Sequence, residues 1–175
     1  MVFYSEETGL PFSRCNDCGG TLTDQEDGYF IQKVLNAGET ILEMAICNGC
    51  HDRLQQSYSK KSREQIWNFY LDHADLPERR KKFHALPPMP DFWMNNCLTC
   101  KTLRGRSQEY GIAARCVGEY LILDETPMMV CSDCMGKMIE VMSEESLETY
   151  DCWMERVIPP AADFSINKPR RRVFF

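Results

Sequence analysis

The sequence predicts an α+β protein made of two small tandem modules, residues 1–86 and 87–175. In each module a knuckle, meaning the tight turn of a CxxC pair, is followed by a β-hairpin, a second knuckle and a helix. Three observations support this fold class. Eight of the 10 cysteines form four CxxC pairs, hairpin-like sequence precedes the second pair of each half, and helix-like sequence follows it. The two halves also align with each other, which indicates an internal duplication.

The CxxC pairs point to metal binding. Two residues between the cysteines allow a tight turn that aims both sulfurs at one ion, and two such pairs complete a tetrahedral site. The intervals between successive pairs within each half are 28 residues (19–46) and 30 residues (101–130). The four pairs are Cys15/Cys18, Cys47/Cys50, Cys97/Cys100 and Cys131/Cys134.

The redox setting favours metal over disulfides. The start of the chain has neither a basic region followed by an apolar run nor a small-residue cleavage site, so we expect no signal peptide. No stretch approaches the roughly 18 apolar residues of a membrane span, so no membrane association is expected. We therefore expect a cytoplasmic protein, where thiols stay reduced and clustered cysteines bind metal.

Hairpin-like sequence lies before the second pair of each half. "GYFIQKVLNAGETILEMAI" has two apolar-rich runs around Asn36-Ala37-Gly38, which is a turn signal. "YGIAARCVGEYLILDETPMMV" has a similar pattern, with a turn expected near residues 124–127. The sequence therefore predicts one hairpin in each half.

Helix-like sequence follows each second pair. Ser62 with Gln65 is a candidate cap for "REQIWNFYLDH". In the second half a set of apolar residues largely follows helical spacing, and core packing is its expected role. That set is Met135, Met138, Met142, Tyr150, Met154 and Val157.

The duplication is visible at an offset of 84 residues from the second pair onward. Size and polarity agree position by position, although identity is low. The matched positions include Arg53/Lys137, Ser59/Ser143, Ser62/Ser146 and Phe69/Trp153.

The order of knuckle, hairpin and helix-opening knuckle resembles the treble-clef class of zinc modules, over residues 15–73 and 97–157. The resemblance implies two separate zinc sites, one in each half. Sharing of ligands between first and third pairs, as in cross-braced RING-type domains, is disfavoured because a duplicated ancestor needed its own complete site. The implied ligands are Cys15, Cys18, Cys47 and Cys50 in one site, and Cys97, Cys100, Cys131 and Cys134 in the other.

Two structural Zn²⁺ ions are therefore the expected cofactors. Four cysteine ligands leave no open position for water or substrate, which catalytic zinc requires. Modules of this size bury a limited core, and structural zinc supplies on the order of 10 kcal/mol of folding free energy. Arg53 and Lys137, three residues past each helix-side pair, are candidates to offset the thiolate charge.

Two other metal chemistries are weighed against zinc. Cys47 to His51 has the spacing of a haem attachment site, but only this pair is followed by histidine, so haem is not expected. The spacing also resembles that of rubredoxins, electron carriers with one iron held by two knuckles, each typically followed by glycine. Only the first pair has that glycine, Gly19, so iron is less favoured than zinc.

Charge bears on the choice of partner. The formal charge of −6 counts mildly against a general nucleic-acid binder. Basic and aromatic clusters nevertheless mark candidate contact residues, for a protein or for nucleic acid. They are Lys101, Arg104 and Arg106 in the third CxxC loop, and Arg170, Arg171, Arg172, Phe174 and Phe175 in the C-terminal tail.

Two proline segments, residues 86–95 and 158–167, also correspond to each other, at an offset of 72. Proline favours extended backbone, so we expect each segment to return along its own module, with Phe92 or Phe164 as anchor. The alternative is an inter-module linker followed by a loose terminus.

The predicted function is a non-catalytic, zinc-stabilised protein–protein interaction or scaffold protein. No set of residues suggests catalysis, and no small-molecule substrate is evident. A nucleic-acid-binding zinc protein is the first alternative, and a rubredoxin-like iron electron carrier is the second.

Overall fold

A computed structural model of the chain describes residues 3–24, 26–85, 89–158 and Arg172. The order of strands and helices confirms the predicted α+β class. The elements are β1 (Tyr29–Asn36), β2 (Glu39–Cys47), α1 (Asn48–Ser57), α2 (Lys60–His73), α3 (Leu76–Ala85), α4 (Pro90–Trp93), β3 (Glu109–Val117), β4 (Tyr120–Ile122), β5 (Met128–Cys131), α5 (Ser132–Glu140) and α6 (Glu144–Val157), with a 3₁₀ turn at Arg104–Arg106.

The strands of both halves form one antiparallel sheet in the order β2–β1–β3–β4, and β5 also pairs with β3. The two halves join where β1 pairs with β3, from Tyr29 opposite Cys116 to Asn36 opposite Glu109. The predicted division between residues 86 and 87 lies in the connection between α3 and α4. The segments on its two sides therefore share a sheet, and a single hydrophobic core includes residues of both.

The pairing of β1 with β3 places one pair of equivalent residues of the two halves opposite each other. Tyr29 pairs with Cys47 on one side of β1, and Tyr110 pairs with Cys131 on one side of β3. Counting three residues onward from each tyrosine gives Gln32 and Ala113, and these two residues face each other. The halves are therefore related by an approximate two-fold axis.

Strand β1 lies between β2 and β3, is almost entirely buried, and contains a buried charge. The Lys33 side chain has no exposed surface, and its Nζ lies 2.9 Å from Glu43 Oε2 on the neighbouring strand β2. Nζ also donates to the Tyr4 carbonyl at 2.5 Å and lies 5.9 Å from the centre of the Phe12 ring. The N-terminal segment therefore covers this part of the sheet, and Glu43 neutralises the buried ammonium.

The predicted hairpin of the first half is present as β1 and β2, whereas the predicted hairpin of the second half contains three strands. Ala37 and Gly38 both have positive φ angles, 51° and 89°, as expected of a tight hairpin turn. In the second half the chain turns at Gly118 into the short strand β4, and residues 123–127 then lead to β5. Strand β5 pairs with β3 as β2 pairs with β1, so the second hairpin contains an inserted strand.

The helices after the second CxxC pairs come in twos. The prediction that Ser62 caps the helix is wrong: Ser59 is the N-cap of α2, and its Oγ accepts from Ser62 N at 3.1 Å. Ser143 likewise caps α6, so the methionine-rich region is divided into α5 and α6. The predicted core positions in this region are buried, or packed against the core in the case of Met154.

Helix α3 attaches to the second half through Arg79. The guanidinium donates to the carbonyl oxygens of Trp93, at 3.0 Å, and Glu125, at 3.1 Å, and also to that of Pro127. The prediction that Phe92 anchors the first proline segment is wrong. Phe92 is 57% exposed, whereas the adjacent Trp93 is 6% exposed and is the buried aromatic of this segment. The second predicted anchor, Phe164, lies outside the described residues.

Among the described residues, no helix combines the length and the apolar character needed to span a membrane.

Candidate metal centres

The eight paired cysteines form two clusters, one in each half. In each cluster the four sulfurs lie within 4.8 Å of one another. The grouping is sequential, as predicted, and the interleaved alternative is not what the structure shows. The first centre is Cys15, Cys18, Cys47 and Cys50, and the second centre is Cys97, Cys100, Cys131 and Cys134.

The sulfur separations fit a tetrahedral ion. A metal bonded to sulfur at about 2.3 Å places neighbouring sulfurs about 3.8 Å apart. The separations between the pairs are 3.7 Å for Cys15–Cys50 and 3.9 Å for Cys18–Cys47 in the first centre. In the second centre Cys100–Cys131 is 3.6 Å. A disulfide requires about 2.05 Å, so these sulfurs are not bonded to each other and the clusters can hold two metal ions.

Each centre is built by the same local structure. The first pair lies in a knuckle in which the amide N–H of the residue after the second cysteine donates to the carbonyl of the first cysteine. That residue has a positive φ angle in both halves, 70° at Gly19 and 63° at Lys101. The second pair lies where a strand passes into a helix: Cys47 and Cys131 are the N-caps of α1 and α5.

Backbone amides favour one thiolate in each centre. The amides of Cys47 and Cys131 donate to the sulfurs of Cys15 and Cys97, both at 3.4 Å. Burial opposes ionisation of Cys15, but the amides of Cys18 and Cys47 outweigh it and lower its pKa to about 7. Burial also opposes ionisation of Cys97, where the Thr99 hydroxyl and the Cys131 amide lower the pKa to about 6.

The sulfurs on the helix side have the opposite tendency. Burial raises the pKa values of Cys50 and Cys131, and the charges of Cys15 and Cys97 raise them further. Four thiolates in one buried cluster repel each other, and a divalent cation removes that repulsion. The electrostatics of both clusters therefore agree with metal binding.

The groups around the sulfurs differ between the two centres. In the first, Arg53 Nη2 donates to Cys50 Sγ at 2.9 Å, so the expected charge compensation is present. Its counterpart in the second half, Lys137, is exposed. There, the hydroxyls of Thr99 and Thr102 lie 3.3 and 3.2 Å from the sulfurs of Cys97 and Cys100.

The imidazole of His51 packs on the sheet. Its ring lies 4.3 Å from the Phe30 ring, centre to centre, and its Nδ1 lies 3.5 Å from Asp52 Oδ1. Burial lowers the pKa of His51, because the charged imidazolium loses solvation there. Aromatic packing accounts for this residue.

Each centre also has a residue of the other half near it, which the sequence did not reveal. Arg156 of α6 binds Asp17 in the first knuckle, with Nη2 2.7 Å from Oδ1. Burial opposes ionisation of Asp17, but the Arg156 guanidinium holds its pKa below the ordinary value. Tyr70 of α2 lies near Cys97, and burial followed by the charge of that thiolate raises the tyrosine pKa. The sequence shows that Asp17 and Arg156 have opposite charges, but no sequence pattern indicates that these two residues form an ion pair.

Two of the three predicted contact residues of the third CxxC loop, Lys101 and Arg104, make intramolecular bonds. Lys101 Nζ donates to the Leu98 carbonyl at 2.5 Å. Arg104 Nη1 lies 3.4 Å from Asp91 Oδ1, and Arg106 is exposed in the same 3₁₀ turn.

One predicted residue of the C-terminal tail is described, and it contacts α6. Arg172 donates from Nε and Nη2 to the two carboxylate oxygens of Asp151, at 2.8 and 2.6 Å. The Asp151 side chain is only 7% exposed, so the pair is largely shielded. The other four predicted tail residues lie outside the described residues: Arg170, Arg171, Phe174 and Phe175.

Comparison of the chain with protein-family models, with curated proteins and with solved structures found no significant match to any of them.

Proposed function

We propose that this chain is a non-catalytic interaction protein whose fold is held by two structural zinc ions in treble-clef-type modules. The observation that carries the proposal is the presence of two four-sulfur clusters with separations of 3.6–3.9 Å, each connecting a knuckle to the start of a helix. Such a centre has no open coordination position, so its contribution is to folding. When bound, zinc would cross-link the knuckle, the hairpin and the first helix of each half.

Zinc is favoured over a rubredoxin-type iron site by the second pair of each half. A rubredoxin site is made of two similar knuckles, but Cys50 and Cys134 lie inside α1 and α5. The residues after them are helical, and only the first pair of each half is followed by a positive φ angle. This asymmetry is typical of treble-clef zinc sites and supports that assignment.

A protein partner is supported by an exposed apolar surface on α2. Trp67 and Leu71 are one helical turn apart, and each is 57% exposed. Trp67 borders a cleft of about 380 Å³ between α2 and the sheet. Exposed aromatic residues beside an apolar cleft are typical anchors of protein interfaces. The cleft lining includes Phe30, His51, Ile66, Tyr70, Leu98 and Met128.

Nucleic-acid binding has weaker support. Arg104 and Arg172, two of the predicted phosphate contacts, bind Asp91 and Asp151 of the same chain. With eight thiolates and two zinc ions the formal charge changes from −6 to about −10, which repels a polyanion.

The test is native mass spectrometry of the protein purified from its own cells, with two variants. We expect two zinc ions and a protein companion. Trp67→Ala should lose the companion and keep both zinc ions, whereas Tyr120→Ala, a control aromatic that is 79% exposed, should keep both. Iron, haem or a bound nucleic acid would contradict the proposal, and so would a companion retained equally by both variants.

A further inference from the structure

The two centres occupy equivalent places in the two halves, yet they differ in the groups that contact their sulfurs. We propose that the second centre is a site of peroxide oxidation, with Cys100 as the first sulfur oxidised, and that the first centre is protected by Arg53. This inference rests on the proposed occupancy of both centres by zinc.

Accessibility does not distinguish the centres. Each has three buried cysteines and one exposed cysteine, Cys18 in the first and Cys100 in the second. Both exposed cysteines are the second cysteine of a knuckle. A difference in reactivity must therefore come from the groups around the sulfurs.

Charge compensation does distinguish them. The Arg53 guanidinium donates to Cys50 at 2.9 Å, which is a charge-assisted hydrogen bond to a thiolate when zinc is bound. Among the described residues, no basic side chain hydrogen-bonds to a sulfur of the second centre. Its side-chain contacts are the neutral hydroxyls of Thr99 and Thr102, which donate when the sulfurs are thiolates.

A positive charge on one ligand affects the whole centre. Four thiolates share one cation, so a group that withdraws electron density from one sulfur changes the bonding of the other three. Groups that stabilise a thiolate lower its nucleophilicity. A charge-assisted hydrogen bond is roughly twice as strong as one from a neutral hydroxyl, and a partial effect of that difference on the barrier corresponds to roughly a tenfold difference in rate.

The reaction balances with hydrogen peroxide as the oxidant. The Cys100 thiolate attacks one peroxide oxygen, a sulfur–oxygen bond forms, the oxygen–oxygen bond breaks and hydroxide leaves, giving a sulfenic acid. The Cys131 sulfur, 3.6 Å away, then attacks the oxidised sulfur and displaces a second hydroxide as the disulfide forms. Two thiolates lose two electrons in total, peroxide is reduced to two hydroxide ions, and Zn²⁺ leaves because two of its four donors are gone.

The experiment follows both centres in the full-length protein loaded with two zinc ions. Hydrogen peroxide is added, a chromogenic chelator records zinc release, and differential alkylation with peptide mass spectrometry records which cysteines oxidise. We expect two phases of release, the first roughly tenfold faster and accompanied by oxidation of Cys100 and Cys131. Simultaneous release, or earlier oxidation of Cys18 and Cys47, would overturn the inference.

Two variants assign the cause. Arg53→Gln should bring the two phases to within about threefold of each other, whereas Lys137→Gln should leave the ratio unchanged. If Arg53→Gln melts at a much lower temperature, Arg53→Lys replaces it and should give an intermediate ratio. A protein that folds without zinc contradicts the proposed function, whereas two bound zinc ions with no ordered release contradict only this inference.

Discussion

Ser59 and Ser143, 84 residues apart in the chain, hydrogen-bond to each other through their hydroxyls at 3.1 Å while each caps a 14-residue helix of its own half. The contacts around them are reciprocal. Ser59 N donates to Ser146 Oγ at 2.9 Å, and Ser143 N donates to Ser62 Oγ at 2.8 Å. The starts of α2 and α6 are therefore fixed to each other by four serines, of which Ser62 and Ser146 are fully buried.

Removal of one buried hydroxyl from this serine cluster should destabilise both halves together. Ser62→Ala leaves the amide of Ser143 without its acceptor, at a cost of about 1–3 kcal/mol. In a chain of this length the melting temperature changes by about 2–4 °C per kcal/mol. Ser146→Ala should cost a similar amount because Ser59 N loses its acceptor, and exposed Ser132→Ala should cost almost nothing. Thermal melts of the zinc-loaded variants are the measurement, and a neutral Ser62→Ala would contradict the cluster's role.

Loss of one proposed zinc ligand should affect more than its own half. Cys47→Ser should reduce the zinc content from two ions to one and lower the melting temperature by well over 10 °C, because a structural site supplies on the order of 10 kcal/mol. Hydrogen exchange should rise in β1 and β2 and also in β3, which pairs with β1. Cys152→Ser, outside both clusters, should retain two zinc ions and native exchange.

A change confined to β1 and β2 would show instead that the halves unfold separately. A chelator such as EDTA should give the same loss of structure in the wild type, and added zinc should restore it.

The C-terminal contact should contribute measurable stability. Arg172→Ala leaves the carboxylate of Asp151 largely buried without its guanidinium, and we expect a loss of about 1–3 kcal/mol. Asp151→Asn combined with Arg172→Ala should be less harmful than the sum of the two single changes, because they remove one shared interaction. Deletion of residues 159–175 should lower the melting temperature by at least as much as Arg172→Ala. An unchanged melting temperature after deletion would contradict docking of the tail.

Glu43 should make stability sensitive to acid. Burial opposes its ionisation, but the Glu6 amide, Lys33 and Ser5 hold its pKa below the ordinary value of 4.5. Its folded pKa is thus lower than its unfolded one, so its contribution is complete above about pH 4.5 and is lost as the pH falls through the folded pKa. Glu43→Gln should destabilise the protein at pH 7, and the difference from wild type should shrink below pH 4.5.

Taking the difference in stability between the wild type and the variant removes the acid sensitivity of the two cysteine centres, which both proteins share. Glu39→Gln, at an exposed position at the start of β2, is the matched control and should follow the wild type at every pH. A constant difference between wild type and Glu43→Gln from pH 7 to pH 4 would contradict the assignment.

Features encoded by nearby residues were predictable from the sequence. The Cys-x-x-Cys spacing brings two sulfurs together both in a knuckle and at the start of a helix, and Asn36-Ala37-Gly38 contains residues that tolerate the positive φ angles of a tight turn. The helix cap was predicted within one turn of its place. Ser59 and Ser62 are both serines near the start of α2, and their hydroxyls hydrogen-bond to each other, but only Ser59 precedes the helix.

Features that depend on distant residues were not predictable in this way. The pairing of β1 with β3 joins residues about 80 positions apart, and no local pattern specifies which strands become neighbours. The burial of Lys33 in β1 likewise depends on distant residues, because Glu43 neutralises its charge and the N-terminal segment covers it. Phe92 and Trp93 are adjacent aromatics, and the buried one, Trp93, is the one contacted by a distant residue: the Arg79 guanidinium lies 5.4 Å from the centre of its ring.

This molecule has the self-complementary interface of a symmetric dimer within one polypeptide. At that interface Gln32 lies opposite Ala113, and Ser59 hydrogen-bonds to Ser143. Two separate single-repeat chains would make the same interface only by association, and would lose it on dilution. Covalent connection replaces that association by an intramolecular one, with an effective concentration on the order of millimolar. The assembly is thereby independent of protein concentration, and its two halves can diverge in their outer residues, as Arg53 and Lys137 already have.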